Sequence, residues 1–315
     1  MKYIVNLSGV VSLVLFLLPS AGSGSTLGQS YFLFGFNESS YDYSESAPPH
    51  TYEISPTYYY FTPPPSIPDR EYGATSAFHA EGKFYSHDRA LPWYGGFLFE
   101  YGGGIQTYNG TALDSIQVGV PGPGDTTQYF PPIVESKSNT FTRIGGFIGP
   151  YFKVGNTLVG LNAGLLYYNW YRGAGAYNES YSWVYLPVGA EVQWEMNDRL
   201  SVGLDMQYRI MLSGSMTATY DYATVLEGVP TAANNFTLGT RDGFYLGFPM
   251  QLQIDRWFGL EWKPWFELRP SGISGLTDVN PETGSGYLEP NSYSYSIGVS
   301  ISAMFGTFSS FDRTH

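Results

Sequence analysis

Four histidines, no cysteine and a scatter of carboxylates make up the reactive inventory of this 315-residue chain. Without cysteine there is no thiol nucleophile, no disulfide and no cysteine-type zinc centre. His79, Glu81 and Lys83 recur at every second position, which on an extended chain puts all three on one side. Together with Glu100 they would form a proton-transfer cluster, an imidazole set among carboxylates. His87-Asp88 is the one neighbouring His-Asp pair, while His50 falls in a proline- and tyrosine-rich tract and His315 is the final residue of the sequence. No HExxH, GxSxG or P-loop spacing occurs. Asp42, Glu45 and Glu53 are interleaved with tyrosines but lack the regular oxygen-ligand spacing of a calcium loop. Neither catalysis, nor a metal, nor a cofactor is expected from these residues.

The elements that must position these groups announce themselves by alternation. From Leu200 to Leu212 the even positions are Leu, Val, Leu, Met, Tyr, Ile and Leu, and most of the odd ones are polar or glycine. A period of two over that length predicts a strand with one apolar and one polar face. Extending this reading gives ten strands, at 29–36, 72–85, 93–108, 140–153, 157–171, 181–196, 199–213, 243–255, 257–269 and 291–305. They are long enough to cross a bilayer at a tilt, which takes about 9–11 residues. Short connections (86–92, 154–156, 197–198 and the reversal at Asp255-Arg256) alternate strictly with longer ones (37–71, 109–139, 172–180, 214–242 and 270–290). The expected fold is all-β: a transmembrane, antiparallel up-and-down barrel with short periplasmic turns and long extracellular loops.

Charge follows the same map. The chain carries 15 basic and 27 acidic residues, a net charge of −12, which argues against nucleic acid as a partner because phosphate binding needs clustered Lys and Arg. The five longer connections hold the whole acidic excess, and the strands are balanced. Polar strand faces carry His79, Glu81, Lys83, Glu100, Arg143, Lys153, Glu191, Glu195, Asp205, Arg209, Asp255, Glu261, Lys263, Glu267 and Arg269. Facing lipid at mid-bilayer, such charges would cost about 2–4 kcal/mol each, so they are assigned to the lumen, where near-parity of sign favours cross-strand pairing. On that reading Arg209→Ala would leave carboxylates unpaired. Trp93, Tyr167, Trp194, Tyr208, Tyr293 and Tyr295 fall on the opposite faces near strand ends, as interfacial aromatic girdles require. Pro150, Pro187, Pro249 and Pro264 each remove a ladder donor, which implies a bulge or a strand end there.

Lys2, the apolar run Val10 to Leu18 and the small-residue tract Ala21-Gly22-Ser23 predict a signal peptide over 1–23, with one barrel domain over 24–315.

In this pattern the chain resembles bacterial outer-membrane β-barrel proteins. Ser296, Gly298, Ile301, Ala303 and Phe305 look like the terminal-strand signal read by the barrel assembly machinery, although ten residues follow Phe305. The resemblance implies an outer-membrane location, with membrane lipid and the assembly machinery as partners. Ten strands also resemble the omptin proteases, whose site at the extracellular rim uses a His-Asp couple; His87-Asp88 is expected at the opposite end. The sequence therefore favours a non-enzymatic barrel with a largely closed lumen, serving envelope integrity or binding a surface ligand through its acidic, tyrosine-rich loops. A narrow passive channel is the alternative, and an outer-membrane hydrolase a third reading.

Overall fold

Strands with two polar edges need two neighbours each, and the computed structural model gives every one of them both. The structure describes residues 29–45, 51–55, 58–61, 70–86, 92–110, 116–118, 126–128, 133–174, 177–220, 232–275 and 289–306. Ten strands form the wall: β1 Tyr31–Glu45, β2 Arg70–Tyr85, β3 Trp93–Gly110, β4 Ile133–Val154, β5 Thr157–Ala174, β6 Tyr177–Glu195, β7 Leu200–Tyr220, β8 in two halves (Gly243–Gly247 and Met250–Gln253), β9 Phe258–Ser271 and β10 Ser292–Gly306. Each pairs antiparallel with the next, and β10 returns to β1 from Tyr31↔Gly306 to Glu45↔Ser292, closing the barrel and leaving the wall without a free edge. Ala232–Thr237 pairs with the extracellular end of β7. Two small hairpins, Thr51–Ser55 with Tyr58–Phe61 and Ile116–Val118 with Thr126–Gln128, pair separately.

The periplasmic turns are held by their own side chains. Gly155 takes a left-handed φ of 58°, which only glycine adopts without strain. The Asn197 carboxamide oxygen accepts the amides of Arg199 and Leu200 at 2.9 Å, so this reversal spans four residues, two more than its sequence suggested. Asp255 does the same for Trp257 and Phe258, at 2.6 and 2.8 Å.

All four prolines lie at interruptions of the ladder. Pro249 separates the halves of β8, and the Phe248 amide crosses the gap to the carbonyl of Pro264 at 2.9 Å. Pairing of β5 with β4 skips residues beside Pro150, and pairing of β5 with β6 skips residues beside Pro187.

At their extracellular ends the strands outrun the expectation. β1 continues nine residues beyond 36, β4 begins seven residues before 140 and β7 continues seven beyond 213. The expected loop 172–180 is not a loop, because β5 and β6 pair as far as Ala174↔Tyr177. The reason is a reversal of the hydrophobic pattern. At membrane level the apolar side chains point outward: Phe36, Ile148, Leu165, Trp194, Trp262 and Ile301 are all exposed on the outer wall. Higher up, the outward positions of β1 become Glu38, Ser40 and Asp42, while Tyr41 and Tyr43 are buried inside. The same change occurs on β5 and β6, where Trp170, Tyr181 and Trp183 are buried. On β7 an extra residue near Leu212, opposite Val184 and Tyr185, shifts the register and turns Met216 and Ala218 inward. A β-bulge of this kind re-aims every side chain beyond it.

Phenylalanines cover the closing seam from the lipid side. Phe34 meets Phe305 across the β1–β10 boundary at 6.2 Å between ring centroids, Phe258 meets Phe305 at 5.6 Å, and Phe32 meets Phe84 edge to face at 5.4 Å.

Candidate functional site

The lumen is layered. Its periplasmic floor is a cluster of Tyr31, Leu33, Tyr85, Tyr94, Leu158 and Met304. Gly160 makes room there: a Cβ at that position would sit 2.6 Å from the Tyr94 ring. Above the floor lie the charges, and above them a second aromatic layer that includes Tyr41, Tyr43, Tyr168, Trp170, Tyr181, Trp183 and Tyr185.

Twelve of the fifteen expected lumenal groups are brought inside. Glu81 is reached by Lys263 at 3.1 Å, Lys83 at 3.6 Å and His79 at 3.6 Å. Lys83 continues to Glu191 at 2.5 Å, and Lys263 lies 3.8 Å from Glu261, which also accepts from Gln251 at 2.8 Å. A second knot centres on Glu267, whose carboxylate meets three guanidinium groups: Arg143 at 2.5 Å, Arg209 at 2.9 Å and Arg269 at 3.2 Å. Arg143 extends to Glu100 at 3.1 Å, and Glu100 accepts from Asn37. Arg269 lies over the Tyr168 ring, 3.8 Å from its centroid. Asp205 accepts only from Gln207, at 3.4 Å, among the described residues.

Three expected members lie at the periplasmic end of the barrel, outside the paired interior. Asp255 is exposed in the β8–β9 turn that it caps, because strand pairing ends at Gln253 and the chain reverses there. Lys153 is exposed at the periplasmic end of β4, and Glu195 is partly exposed at the same mouth. The expectation that Arg209→Ala leaves carboxylates unpaired is also corrected, since its partner Glu267 keeps Arg143 and Arg269. The proton-transfer cluster has its four members on adjacent strands, but Glu81 and Glu100 are each engaged by cations, and neither His79 nitrogen has a hydrogen-bond partner among the described residues. His50, His87, Asp88 and His315 lie outside the described residues, as does the expected signal peptide.

A third charged group was hidden from the sequence by its assignment to loops. Arg172 reaches Glu71 at 3.3 Å and also bonds Glu179, and Tyr181 donates to Glu289 at 2.7 Å. The Arg172 guanidinium sits among the rings of Tyr43, Trp170 and Tyr181, 4.7–5.4 Å from their centroids. Lys137 lies 3.4 Å over the ring of Tyr108. Glu71, Lys137, Arg172, Glu179 and Glu289 are all buried, so part of the supposed loop charge is interior. The signal available for them was the alternation of Tyr171-Arg172 and Asn178-Glu179, which continues that of the strands.

Small cavities of about 70, 40 and 20 Å³ remain in the lumen. A single water needs at least about 10–15 Å³, so the largest has room for several waters and the smallest for one. The 70 Å³ cavity lies among His79, Glu191, Asp205 and Arg209, and the 40 Å³ one at the periplasmic mouth is rimmed by Gln193, Gln251 and Gln253.

No family model matches the chain, and no curated protein matches it in sequence. Among solved structures, the outer-membrane protease OmpT of Escherichia coli matches with a TM-score of 0.58 at 6% identity, over 91% of this chain and 99% of that one. The toluene transporter TbuX of Ralstonia pickettii matches at 0.33 and 11% identity, over 92% and 96% of the two chains. The translocator domain of the autotransporter NalP from Neisseria meningitidis matches at 0.33 and 9%, over 93% of both. The likeness to OmpT is one of fold. A closed wall, apolar outside at one level and charged within, is built for a bilayer, and the chain is a ten-stranded antiparallel β-barrel of the bacterial outer membrane.

Proposed function

We propose that this barrel is a closed, non-enzymatic outer-membrane protein that acts at the cell surface, with a lumen that serves as a structural lock. The observation that carries this reading is the layering: an ion-paired middle held between two aromatic layers, with a cavity of about 70 Å³ among the charges. Opposite charges that neutralise one another in a narrow interior stiffen the wall and offer no ring of one sign to a passing ion. Function then rests with the acidic, tyrosine-rich loops, whose composition suits adaptable binding of a surface ligand. Folding depends on the assembly machinery and on lipid.

Conductance across a planar bilayer tests the proposal. The purified protein should give no stable open level, and a large, ohmic, long-lived conductance would overturn it in favour of a passive channel, the second reading, which the cavity lined by His79, Glu191, Asp205 and Arg209 supports. Peptidase or lipase activity that falls in a His79→Gln variant would instead favour a hydrolase.

A further inference from the structure

The outer wall above the lipid belt is not uniform. Across β4, β5, β6, β7 and the short strand Ala232–Thr237, outward residues stand side by side in register. One row runs Thr142, Asn169, Ser182, Ser215 and Thr237. The next row outward runs Thr140, Tyr171, Ser180, Thr217 and Asn235. None of these ten side chains is charged, although Asp242 borders the face beside β7, where Tyr208 donates to it, and the outer face of β1 and β2, on the far side of β3, carries Glu38, Asp42 and Arg70 at its extracellular end. Hydroxyls and carboxamides dominate, each able both to donate and to accept. Lateral bonds fix them: Tyr171 donates to Asn178 at 2.8 Å, Asn169 to Ser182 at 3.0 Å and Thr217 to Asn235 at 2.8 Å. The rings of Tyr167 and Tyr171 remain 40% and 41% exposed on this face.

We propose that this face docks the uncharged sugar chain of glycolipids in the surrounding outer leaflet. A sugar offers hydroxyls that match a donor–acceptor surface and an apolar C–H face that stacks on an exposed aromatic ring. An uncharged wall suits such a ligand and gives a phosphate nothing to hold. The source follows from continuity with the lipid-facing belt. The face begins on the same strands directly above Ile144, Tyr167 and Val184, on the side of the barrel and not at its tip. What lies against it is therefore whatever stands on the adjoining lipids. The proposal goes beyond the surface role argued above, because it concerns the wall and is independent of the loops and of whether the lumen conducts.

The test uses detergent-solubilised, full-length barrel and, as probe, the dephosphorylated core oligosaccharide released from the host outer membrane, followed by saturation-transfer NMR. Transfer to sugar ring protons is expected from the wild type. It should fall at least fivefold in Tyr171→Ala and stay within twofold of wild type in Tyr171→Phe, which keeps the ring. Thr217→Lys, at the other side of the face, should also reduce it, and heat-modifiable gel mobility checks that each variant is folded. Absence of transfer in the wild type would overturn the proposal, as would equal transfer in folded Tyr171→Ala and Thr217→Lys. Transfer that requires the phosphates, or equal transfer to an unrelated neutral glucan, would overturn the assignment to leaflet sugars.

Discussion

Glu267 is the point at which the lumen is most exposed to a single change. Its carboxylate is shared by Arg143, Arg209 and Arg269 at 2.5, 2.9 and 3.2 Å. In Glu267→Ala, Arg143 retains Glu100 at 3.1 Å, and Arg269 retains the Tyr168 ring and the Ser294 hydroxyl. Arg209 is left with the Gln207 carboxamide oxygen at 3.3 Å and the Tyr245 ring, 4.9 Å from its centroid, and with no carboxylate among the described residues. A buried cation stripped of its partner costs about 3–5 kcal/mol. The reverse substitution, Arg209→Ala, leaves Glu267 two guanidinium groups and removes one charge-assisted hydrogen bond, about 1.5–3 kcal/mol. At about 2–4 °C per kcal/mol, the first variant should lower the unfolding midpoint by on the order of 10 °C and the second by about half of that. Pairing the two substitutions should cost less than their sum, because the stranded cation is gone. Thermal loss of heat-modifiable mobility in one detergent is the assay. A Glu267→Ala midpoint within about 2 °C of wild type would refute the lock, and so would an Arg209→Ala loss equal to that of Glu267→Ala.

Other consequences are as direct. Arg172→Ala removes the guanidinium that Glu71 and Glu179 share, while the Tyr181 hydroxyl still donates to Glu179, and should cost about 1.5–3 kcal/mol; adding Glu179→Gln should restore part of the loss in the same melting assay. A thiol-reactive reagent applied to intact cells should label Thr217→Cys and spare Asn197→Cys, and the opposite pattern would invert the barrel. Phe305→Ala removes ring contacts with Phe34 and Phe258, at about 0.5–1.5 kcal/mol each. The seam should then unfold earlier by about 1–3 kcal/mol, while Phe305→Leu, which keeps an apolar side chain over the seam, should lose less.

The sequence makes the barrel legible at membrane level, because there one face of every strand meets lipid and the other meets charge. Leu204, Met206 and Tyr208 against Asp205, Gln207 and Arg209 show the two faces of one strand. Legibility fails where the polarity of the two faces changes over. From Phe36 to Tyr41 the apolar side passes from outside to inside, and a reader following one apolar face sees the strand end at the change. The same loss places Arg172 and Glu179 in a supposed loop and hides their ion pair. The members of the charge network follow from alternation, whereas their partners depend on how the register sets one strand against those across the lumen. Glu267 and Arg143 are 124 positions apart, and no local pattern joins them.

The exchange of polarity along the wall also works as a waterline. Sliding the barrel toward the periplasm by one outward position would begin to draw Glu38 of β1 into hydrocarbon, at a cost that grows from near zero at the interface to about 2–4 kcal/mol at mid-bilayer for the costliest charges. Sliding it outward would lift the ring of Phe36 and its neighbours out of lipid and into water. Both displacements are opposed on several strands at once, so the molecule floats at a fixed draught. Rotation about the barrel axis meets no such resistance from the lipid. Whatever the extracellular loops encounter, they encounter it at a set distance from the membrane and from any compass direction.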